Sequence, residues 1–202
     1  MEITGKTTPP EPDRELILKA QEGDNQALAL LYARYRRKVL NYLYQFTGNR
    51  STAEDLTQET FLRVVRHIKS YRPTGSVAGW IYKIAVNCAM NALRDRPKVQ
   101  EISLDEPLSL GEETVDRREA IAGQGPLPDE EVARAEWEAH VQRSLLKVSP
   151  AYRMVVILCD IEGYPYREAA DLLRCSINTV ASRLARGRAQ LAALLEYMRK
   201  EG

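Results

Sequence analysis

Residues 166–191 read YREAADLLRCSINTVASRLARGRAQL and have the pattern of a short helix joined by a tight turn to the start of a long final helix. The turn has three residues, Arg174, Cys175 and Ser176, and Ser176 is placed to cap the second helix by accepting hydrogen bonds from its free amides. Apolar residues recur at helical spacing on both sides of the turn, which predicts two buried faces that cross closely. They are Ala169, Ala170 and Leu173 on the first helix and Ile177, Val180 and Leu184 on the second. The stretch therefore predicts a helix-turn-helix.

The second helix of this motif carries a positive surface. Residues 172–195 contain four arginines and no acidic residue, which suits the release of counterions from duplex DNA. Guanidinium groups also bind guanine edges and phosphates with two parallel hydrogen bonds. The outward positions are Asn178, Thr179, Ala181, Ser182, Ala185 and Arg186, and the other arginines are Arg174, Arg183 and Arg188. DNA binding is the favoured interpretation, and an αα-hairpin from a protein–protein module is the alternative.

The formal net charge of the 202 residues is +1, but the charges are unevenly distributed. Residues 1–97 hold 15 basic and 10 acidic residues, residues 98–140 hold 4 and 12, and residues 141–202 hold 10 and 6. Two basic modules separated by an acidic segment can attract polyanions in spite of a neutral total. Ordinary solvated surface charge is the alternative explanation.

Composition argues against several other classes of protein. No run of about 18 apolar residues is present, so a membrane span is not expected, and the N-terminus lacks the apolar segment of a secretory signal. Three cysteines lie far apart without a CxxC pair, which predicts reduced cytoplasmic thiols and no disulfide framework or zinc site. They are Cys88, Cys159 and Cys175. With only His67 and His140 as histidines, no metal, cofactor or acid–base centre is expected.

Apolar residues recur at three- and four-residue steps across residues 13–96, which predicts about four helices. Asp24 and Ser51 are the predicted N-caps, with Glu54 completing a capping box. Residues 98–130 are acidic, contain prolines and lack a helical stripe, which predicts a flexible linker. The helical pattern then returns, with Trp137 and Ile161 in its apolar stripes. The prediction is an all-α protein with a disordered segment at 1–12 and two small helical domains, 13–97 and 131–202, joined by a flexible acidic linker.

Residues 53–68, AEDLTQETFLRVVRHI, predict one helix with two distinct faces. The predicted core side holds Leu56, Val64, Val65 and Ile68. Another side carries an acidic and amide stripe with one leucine, at i, i+3, i+4 and i+7: Asp55, Gln58, Glu59 and Leu62. Such a stripe suits the docking of a basic helical partner. The pattern alone favours the alternative, a solvated face on which Glu59 and Arg63 form an ion pair.

Residues 70–98 place a loop rich in Pro, Gly and Ser before a helix rich in aromatic, amide and basic residues. This combination suits a single-stranded nucleic acid, because bases stack on aromatic rings while cations neutralise phosphates. Asn87 and Asn91 are poor helix formers one turn apart, which favours a polar task such as reading a base edge. Trp80 is more typical of the core, together with Ile81 and Ile84.

Three segments resemble the bacterial RNA polymerase sigma factors of the extracytoplasmic-function (ECF) group, which keeps only the second and fourth conserved sigma regions. The segments are AEDLTQETF (53–61), GWIYKIAVN (79–87) and the helix-turn-helix at 166–191. The resemblance covers residues 14–97 and 131–196, nearly all of the chain outside the linker. Each motif alone is moderately specific, whereas three of them in this order and spacing are highly specific.

The resemblance implies three binding sites. Docking on the clamp coiled coil of the beta-prime subunit of core RNA polymerase would use Asp55, Gln58, Glu59 and Leu62. Capture of a flipped base of the minus-ten element would use Thr74, Gly75, Ser76, Val77, Lys83, Asn87, Asn91 and Arg94. Major-groove reading of the minus-thirty-five duplex would use Asn178, Thr179, Ser182, Arg183, Arg186 and Arg188. The acidic linker would thread through polymerase toward the RNA exit path.

The resemblance also implies the function. It is that of a promoter-specificity factor, not itself an enzyme, which initiates transcription of stress-response genes in the bacterial cytoplasm under the control of an anti-sigma factor. Two residues depart from the family pattern: Ala181 replaces a usual Lys or Arg, and Asn178 replaces a frequent glycine. The alternative function is a helix-turn-helix repressor that binds DNA without polymerase. A small helical enzyme is not supported, because the chain lacks motifs such as GxxxxGK and HExxH.

Overall fold

The computed structural model describes residues 11–72, 75–95 and 128–201, and all regular structure within these ranges is helical. The N-terminal half contains α1 (Glu11–Gln21), α2 (Asn25–Thr47), α3 (Arg50–His67), a 3-10 turn (Ile68–Ser70) and α4 (Val77–Asp95). The C-terminal half contains α5 (Pro128–Lys147), α6 (Pro150–Val156), a π-helical turn (Ile157–Ile161), α7 (Tyr166–Leu173) and α8 (Ile177–Glu201). The predicted all-α fold with two helical regions is confirmed. Residues 98–127 of the predicted linker lie outside the described residues.

α2 is the central helix of the N-terminal half, and α1, α3 and α4 pack against it. The carboxylate of Asp24 caps its first turn, as predicted, by accepting from the amides of Gln26 at 2.8 Å and Ala27 at 3.1 Å. Gly48 ends the helix at φ +70°, a left-handed conformation that favours glycine. The residues that α2 buries follow the three- and four-residue spacing: Ala27, Leu31, Tyr35, Val39, Tyr42, Leu43 and Phe46.

The N-cap of α3 differs from the prediction, and Ser51 does not cap the helix. The side-chain oxygen of Asn49 accepts from the amide of Thr52 at 2.8 Å instead. Ser51 lies inside the first turn, and Glu54 accepts from Arg50 Nε at 3.1 Å and closes no capping box. The Gly48 turn explains the difference, because it leaves the next residue, Asn49, in the extended conformation that an N-cap needs.

Asp13 joins α1 to α2. Its buried carboxylate accepts hydrogen bonds from Arg34 and, at 2.6 Å, from the hydroxyl of Tyr35. A buried carboxylate needs such donors, because its desolvation is otherwise costly. Burial also raises the pKa of Tyr35, so its hydroxyl remains a proton donor at neutral pH.

α6 and α8 cross closely because Gly187 has no side chain. A Cβ at this position would lie 2.7 Å from Cγ2 of Val156 and 3.3 Å from the backbone oxygen of Tyr152. A glycine inside a helix costs about 1 kcal/mol relative to alanine, and here the close crossing offsets that cost. The crossing fixes the position of α8, which also packs against α5 and α7.

The two halves pack against each other. α5 and α6 lie against α2, and α7 lies against α4. Buried residues from both halves form one continuous hydrophobic core, including Tyr42 and Tyr82 from the N-terminal half and Leu145 and Met154 from the C-terminal half.

Four apolar residues that periodicity assigned to the core are exposed. Val65 is 47% exposed and Ile177 45%, and Trp137 and Ile161 are similar. Each helix buries a stripe of only about 100°, and successive residues are also about 100° apart. On α3, Phe61 and Val64 fill that stripe and leave Val65 outside it. On α8 the buried positions begin at Val180, one turn after Ile177.

Candidate nucleic-acid and protein-docking surfaces

The helix-turn-helix is formed by α7 and α8. Ala169, Ala170 and Leu172 of α7 are buried, whereas the predicted Leu173 is only half-buried. Arg174 ends α7 in the left-handed region at φ +51°, and the amide of Cys175 donates to the carbonyl of Ala170 at 3.1 Å. The geometry thus reproduces the predicted three-residue turn with a non-glycine residue at its left-handed position.

Ser176 caps α8 as predicted. Its Oγ accepts from the amide of Thr179 at 3.1 Å and lies 2.8 Å from the Thr179 hydroxyl. The hydroxyl of Ser182 donates to the Thr179 carbonyl at 3.1 Å. Asn178 and Ser182 are exposed on the outer side of the helix, opposite the buried Val180 and Leu184. The first two turns of α8 therefore present short polar side chains to solvent.

The arginines of α8 differ in their surroundings. Arg183 is half-buried, and Arg186 is exposed and donates from Nη1 to the hydroxyl of Tyr152 at 3.2 Å. Arg188 forms a two-pronged ion pair with Asp160 of the π-helical turn, with Nε–Oδ2 and Nη2–Oδ1 distances of 2.9 and 2.5 Å. The sequence gives no signal for the Asp160 pair, since the two residues lie 28 positions apart. It reduces the charge that Arg188 can offer to DNA.

α4 carries the second polar stripe. Lys83, Asn87 and Asn91 recur every four residues and are half-buried, and the exposed Arg94 continues the row. Asn91 accepts a hydrogen bond from Arg94 through Oδ1, so its amide oxygen is already engaged. The other amide of this stripe, that of Asn87, is not bonded to Arg94.

Hydrogen bonds and an aromatic contact hold the described residues next to the start of α4. The hydroxyl of Tyr71 donates to the Gly75 carbonyl at 3.0 Å, and its ring packs edge-on against Trp80 at 5.2 Å between centroids. Ser76 accepts from the amide of Gly79 through Oγ at 2.9 Å and thereby caps α4. Gly75 is exposed, whereas Val77 is fully buried in the core. Thr74 lies outside the described residues.

The acidic stripe lies on the outer side of α3. Asp55 and Gln58 are exposed, and Leu62 is 53% exposed, which is high for a leucine on a packed helix. Glu59 accepts from Nε of Arg63 at 2.6 Å, the ion pair that the spacing predicted. The opposite side of the helix buries Thr57, Thr60 and Phe61. The stripe is thus a solvent-facing row of two carboxylates, one amide and one apolar side chain.

Residues 31–98 match Sigma-70 region 2, and residues 140–191 match Sigma-70, region 4. The chain is 34% identical to the ECF RNA polymerase sigma factor SigE of Mycolicibacterium smegmatis over 90% of its own length and 67% of the relative's. It is 30% identical to the ECF RNA polymerase sigma factor SigW of Bacillus subtilis, over 88% and 94% of the two chains. The chain belongs to the ECF sigma factors.

Two solved structures share the fold of this ECF sigma factor. CnrH in complex with the cytosolic domain of CnrY aligns with a TM-score of 0.64 and 24% identity, over 92% of this chain and 98% of the other. RpoE in complex with the anti-sigma factor NepR, from Bartonella quintana, aligns with a TM-score of 0.62 and 21% identity, over 83% and 96%. In this sigma factor the region 2 match begins in α2 and includes α3 and α4, and the region 4 match ends in α8.

Other kinds of site are not apparent in the part of this ECF sigma factor that the structure describes. No cluster of three or more His, Cys, Asp or Glu side chains there could hold a metal ion, and none of the helices there has the length and apolar composition of a membrane span. Burial raises the pKa of the thiols of Cys88 and Cys159, which disfavours the reactive thiolate.

The residues that position α8 in this sigma factor were not predicted from the sequence. Gly187 allows the close crossing with α6, and Tyr152 and Asp160 contact the arginines. A lone glycine inside a helical pattern indicates a close approach of another element, so Gly187 could have been found. Tyr152 and Asp160 carry no comparable signal.

Proposed function

We propose that this chain joins core RNA polymerase and directs it to promoters, with α3 docking on polymerase, α4 and its preceding loop binding the minus-ten element, and α8 reading the minus-thirty-five element. Sigma factors are transcription initiation factors, and this chain would act by binding, without catalysis of its own. The observation that carries the proposal is the presence, within matched regions 2 and 4, of three polar stripes on three separate helices, those of α3 and α8 facing solvent and that of α4 half-buried.

The charges of the stripes support this division. α8 has no acidic residue before Glu196, and its first turns offer Asn178, Ser182 and Arg186 to a duplex. Side chains of this kind read base edges in the major groove while arginine also neutralises phosphates. The acidic side chains of α3 would repel DNA and suit a basic protein helix instead.

The half-buried amide of Asn87 supports the role of α4. A flipped base needs a pocket with hydrogen-bonding groups and a cation for the neighbouring phosphate. Asn87 supplies the amide, and Lys83 lies one turn before it on the same stripe. Tyr71 binds the Gly75 carbonyl, and Ser76 caps the first turn of the helix, so the described residues next to the start of α4 are fixed beside this stripe.

The proposal includes an anti-sigma partner and a place of action. One of the solved structures named above is a sigma factor in complex with an anti-sigma factor, NepR, and the other, CnrH, is likewise bound to a partner, the cytosolic domain of CnrY. Because promoter DNA and polymerase lie in the bacterial cytoplasm, the chain would act there. The stress-response genes under its control and the identity of the regulator belong to the same proposal.

The experiment that tests the proposal is run-off transcription with purified core polymerase on a library of promoter fragments. We expect transcripts from a subset of fragments only when this chain is added. A variant with Asn87→Ala and Arg186→Ala is the control for contamination by another sigma factor and should give fewer transcripts. Specific duplex binding by the free chain, with no transcript at any fragment, would contradict the proposal and favour a repressor.

A further inference from the structure

The edge of α8 that carries Arg186 packs against the first turn of α6. Gly187 allows the helices to approach, since a Cβ there would lie 3.3 Å from both the Cβ and the backbone oxygen of Tyr152. Further along α8, Gln190 accepts a hydrogen bond from the amide of Ser149 through Oε1 at 3.3 Å. These two contacts fix the rotation of α8 and its position along its axis relative to α6.

The side chain of Tyr152 reaches from this crossing to Arg186. Its hydroxyl accepts a hydrogen bond from Nη1 of Arg186 at 3.2 Å. Tyr152 is half-buried and has only two side-chain torsions, whereas Arg186 is exposed and has many rotamers. The tyrosine hydroxyl is therefore the more rigid member of the pair, and it restricts where the guanidinium lies.

The partner of Arg186 differs in charge from the partner of Arg188. The Asp160 carboxylate pairs with Arg188 through two bonds and offsets its positive charge. A hydroxyl group carries no formal charge, so Tyr152 binds Arg186 without offsetting the charge that attracts DNA. The two contacts thus have different consequences for DNA, because one neutralises an arginine and the other orients one.

Arg186 lies on the side of α8 that is proposed to read a duplex. Asn178, Ser182 and Arg186 recur every four residues, and all three are exposed. The bond to Tyr152 uses one of the five N–H groups of the guanidinium, and a two-pronged bond to a guanine edge uses two. Both bonds can therefore be made by one arginine at the same time.

Such a bond changes what an arginine contributes to recognition. An unrestrained arginine can follow a phosphate at many positions, and phosphate contacts carry no sequence information. An arginine that is ordered before binding loses less entropy when it meets a base edge, and this gain is limited to the one place where it points. Restriction of the side chain therefore favours sequence-specific binding over general attraction to DNA.

We infer that Tyr152 is a positioning residue for promoter reading, whose hydroxyl holds the Arg186 guanidinium in the orientation that distinguishes one base pair from the others. The need for such reading rests on the proposed function, because that function places duplex DNA at α8. A residue of α6 outside the reading row thereby controls how well α8 discriminates among sequences. Loss of the hydroxyl should lower this discrimination more than it lowers the affinity for DNA in general.

The first test uses Tyr152→Phe, which keeps the ring at the crossing and removes only the hydroxyl. The full-length parent chain, alone and with core polymerase, selects a preferred duplex from a random library, and single-substituted versions of that duplex are then titrated. We expect Tyr152→Phe to reduce the preference at the base pair read by Arg186 about threefold to tenfold, with an unchanged salt dependence. An unchanged preference would overturn the inference, and so would tighter binding of the preferred duplex.

A double-mutant cycle shows whether Tyr152 acts through Arg186. Arg186→Ala marks the base pair that Arg186 reads, since the preference at that pair is lost. Adding Tyr152→Phe to Arg186→Ala should then cause no further loss, because the group that the hydroxyl holds is gone. Losses that multiply in the double variant would show that Tyr152 acts independently of Arg186 and would contradict the inference.

Gln190→Ala and Asp160→Asn are the matched controls. Gln190→Ala removes a different hydrogen bond between α6 and α8, so it should leave the preference unchanged if the Arg186 contact is what matters. Asp160→Asn removes the charged partner of Arg188 and should strengthen binding to every duplex, with a steeper salt dependence. An equal loss of preference in either control would show a general loosening of the crossing, and the inference would be wrong.

Run-off transcription with core polymerase separates this inference from the proposed function. If no promoter fragment is transcribed but Tyr152→Phe still lowers the preference among duplexes, the proposed function fails and the role of Tyr152 stands. If fragments are transcribed and Tyr152→Phe ranks them as the parent chain does, the proposed function stands and the inference is wrong. If the parent chain prefers no duplex, alone or with core polymerase, the inference is also overturned.

Discussion

α3 and α8 present outward polar stripes of opposite charge, and their charged groups are held in different ways. On α3, Glu59 is paired within the same helix by Arg63, so its position depends only on local geometry. On α8, Arg186 and Arg188 contact Tyr152 and Asp160 from other segments, so their positions depend on tertiary packing. A partner of α3 meets a preformed surface, whereas DNA at α8 must compete with the Asp160 contact.

The largest effect is expected from reversing the acidic charges of α3. Asp55→Lys/Glu59→Lys should lower the affinity for core polymerase by about 100-fold or more, because like charges across an interface cost several kcal/mol. Pull-down or biolayer interferometry with purified core enzyme measures the change. Glu15→Lys/Glu22→Lys is the matched control, because it makes the same charge change at exposed positions near the other end of this half. Equal loss in the control would show that total charge, not the stripe, determines binding.

The second-largest effect is expected on duplex binding by α8, and it should differ between Arg186 and Arg188. Arg186→Ala should weaken duplex binding by about 1–3 kcal/mol and reduce its salt dependence, if the guanidinium binds a base or phosphate. Arg188→Ala should have a smaller effect, because its guanidinium is already paired with Asp160. Gel shifts of the minus-thirty-five duplex at several salt concentrations measure both. Asp160→Asn should then increase duplex binding, and no increase would show that Arg188 plays no part in it.

The third effect is expected at Asn87, where a substitution should reduce the binding of melted DNA but not of duplex DNA. Asn87→Ala should reduce open-complex formation about fivefold to tenfold through the loss of one or two hydrogen bonds to a flipped base. Duplex binding by α8 should remain unchanged. Permanganate footprinting of the holoenzyme measures opening, with Asn91→Ala as a neighbouring control, since Asn91 is already bonded to Arg94. A loss of duplex binding in Asn87→Ala would contradict the division between the two helices.

Local signals in the sequence were sufficient for the helices and for most of the surface stripes. Ser176 and Asp24 cap their helices as predicted, because a cap depends only on residues within one turn. Contacts between distant segments could not be predicted in this way. The Arg188–Asp160 pair and the Tyr82–Glu162 bond span 28 and 80 positions and follow no period. The packing of the two halves depends on such contacts, which explains why the sequence indicated separate domains and gave no sign of their shared core.

The smallest effect is expected on stability, from loss of the N-caps of α3 and α8. Asn49→Ala should lower the free energy of unfolding by about 1 kcal/mol, because it removes the acceptor for the amide of Thr52 at the start of α3. Ser176→Ala should cost a similar amount at the start of α8. Ser51→Ala, at the N-cap position that the sequence pattern predicts but the structure does not use, should leave the free energy of unfolding within about 0.5 kcal/mol of the parent. Denaturant unfolding measures all three, and a cost at Ser51 equal to that at Asn49 would show that the capping box forms in solution.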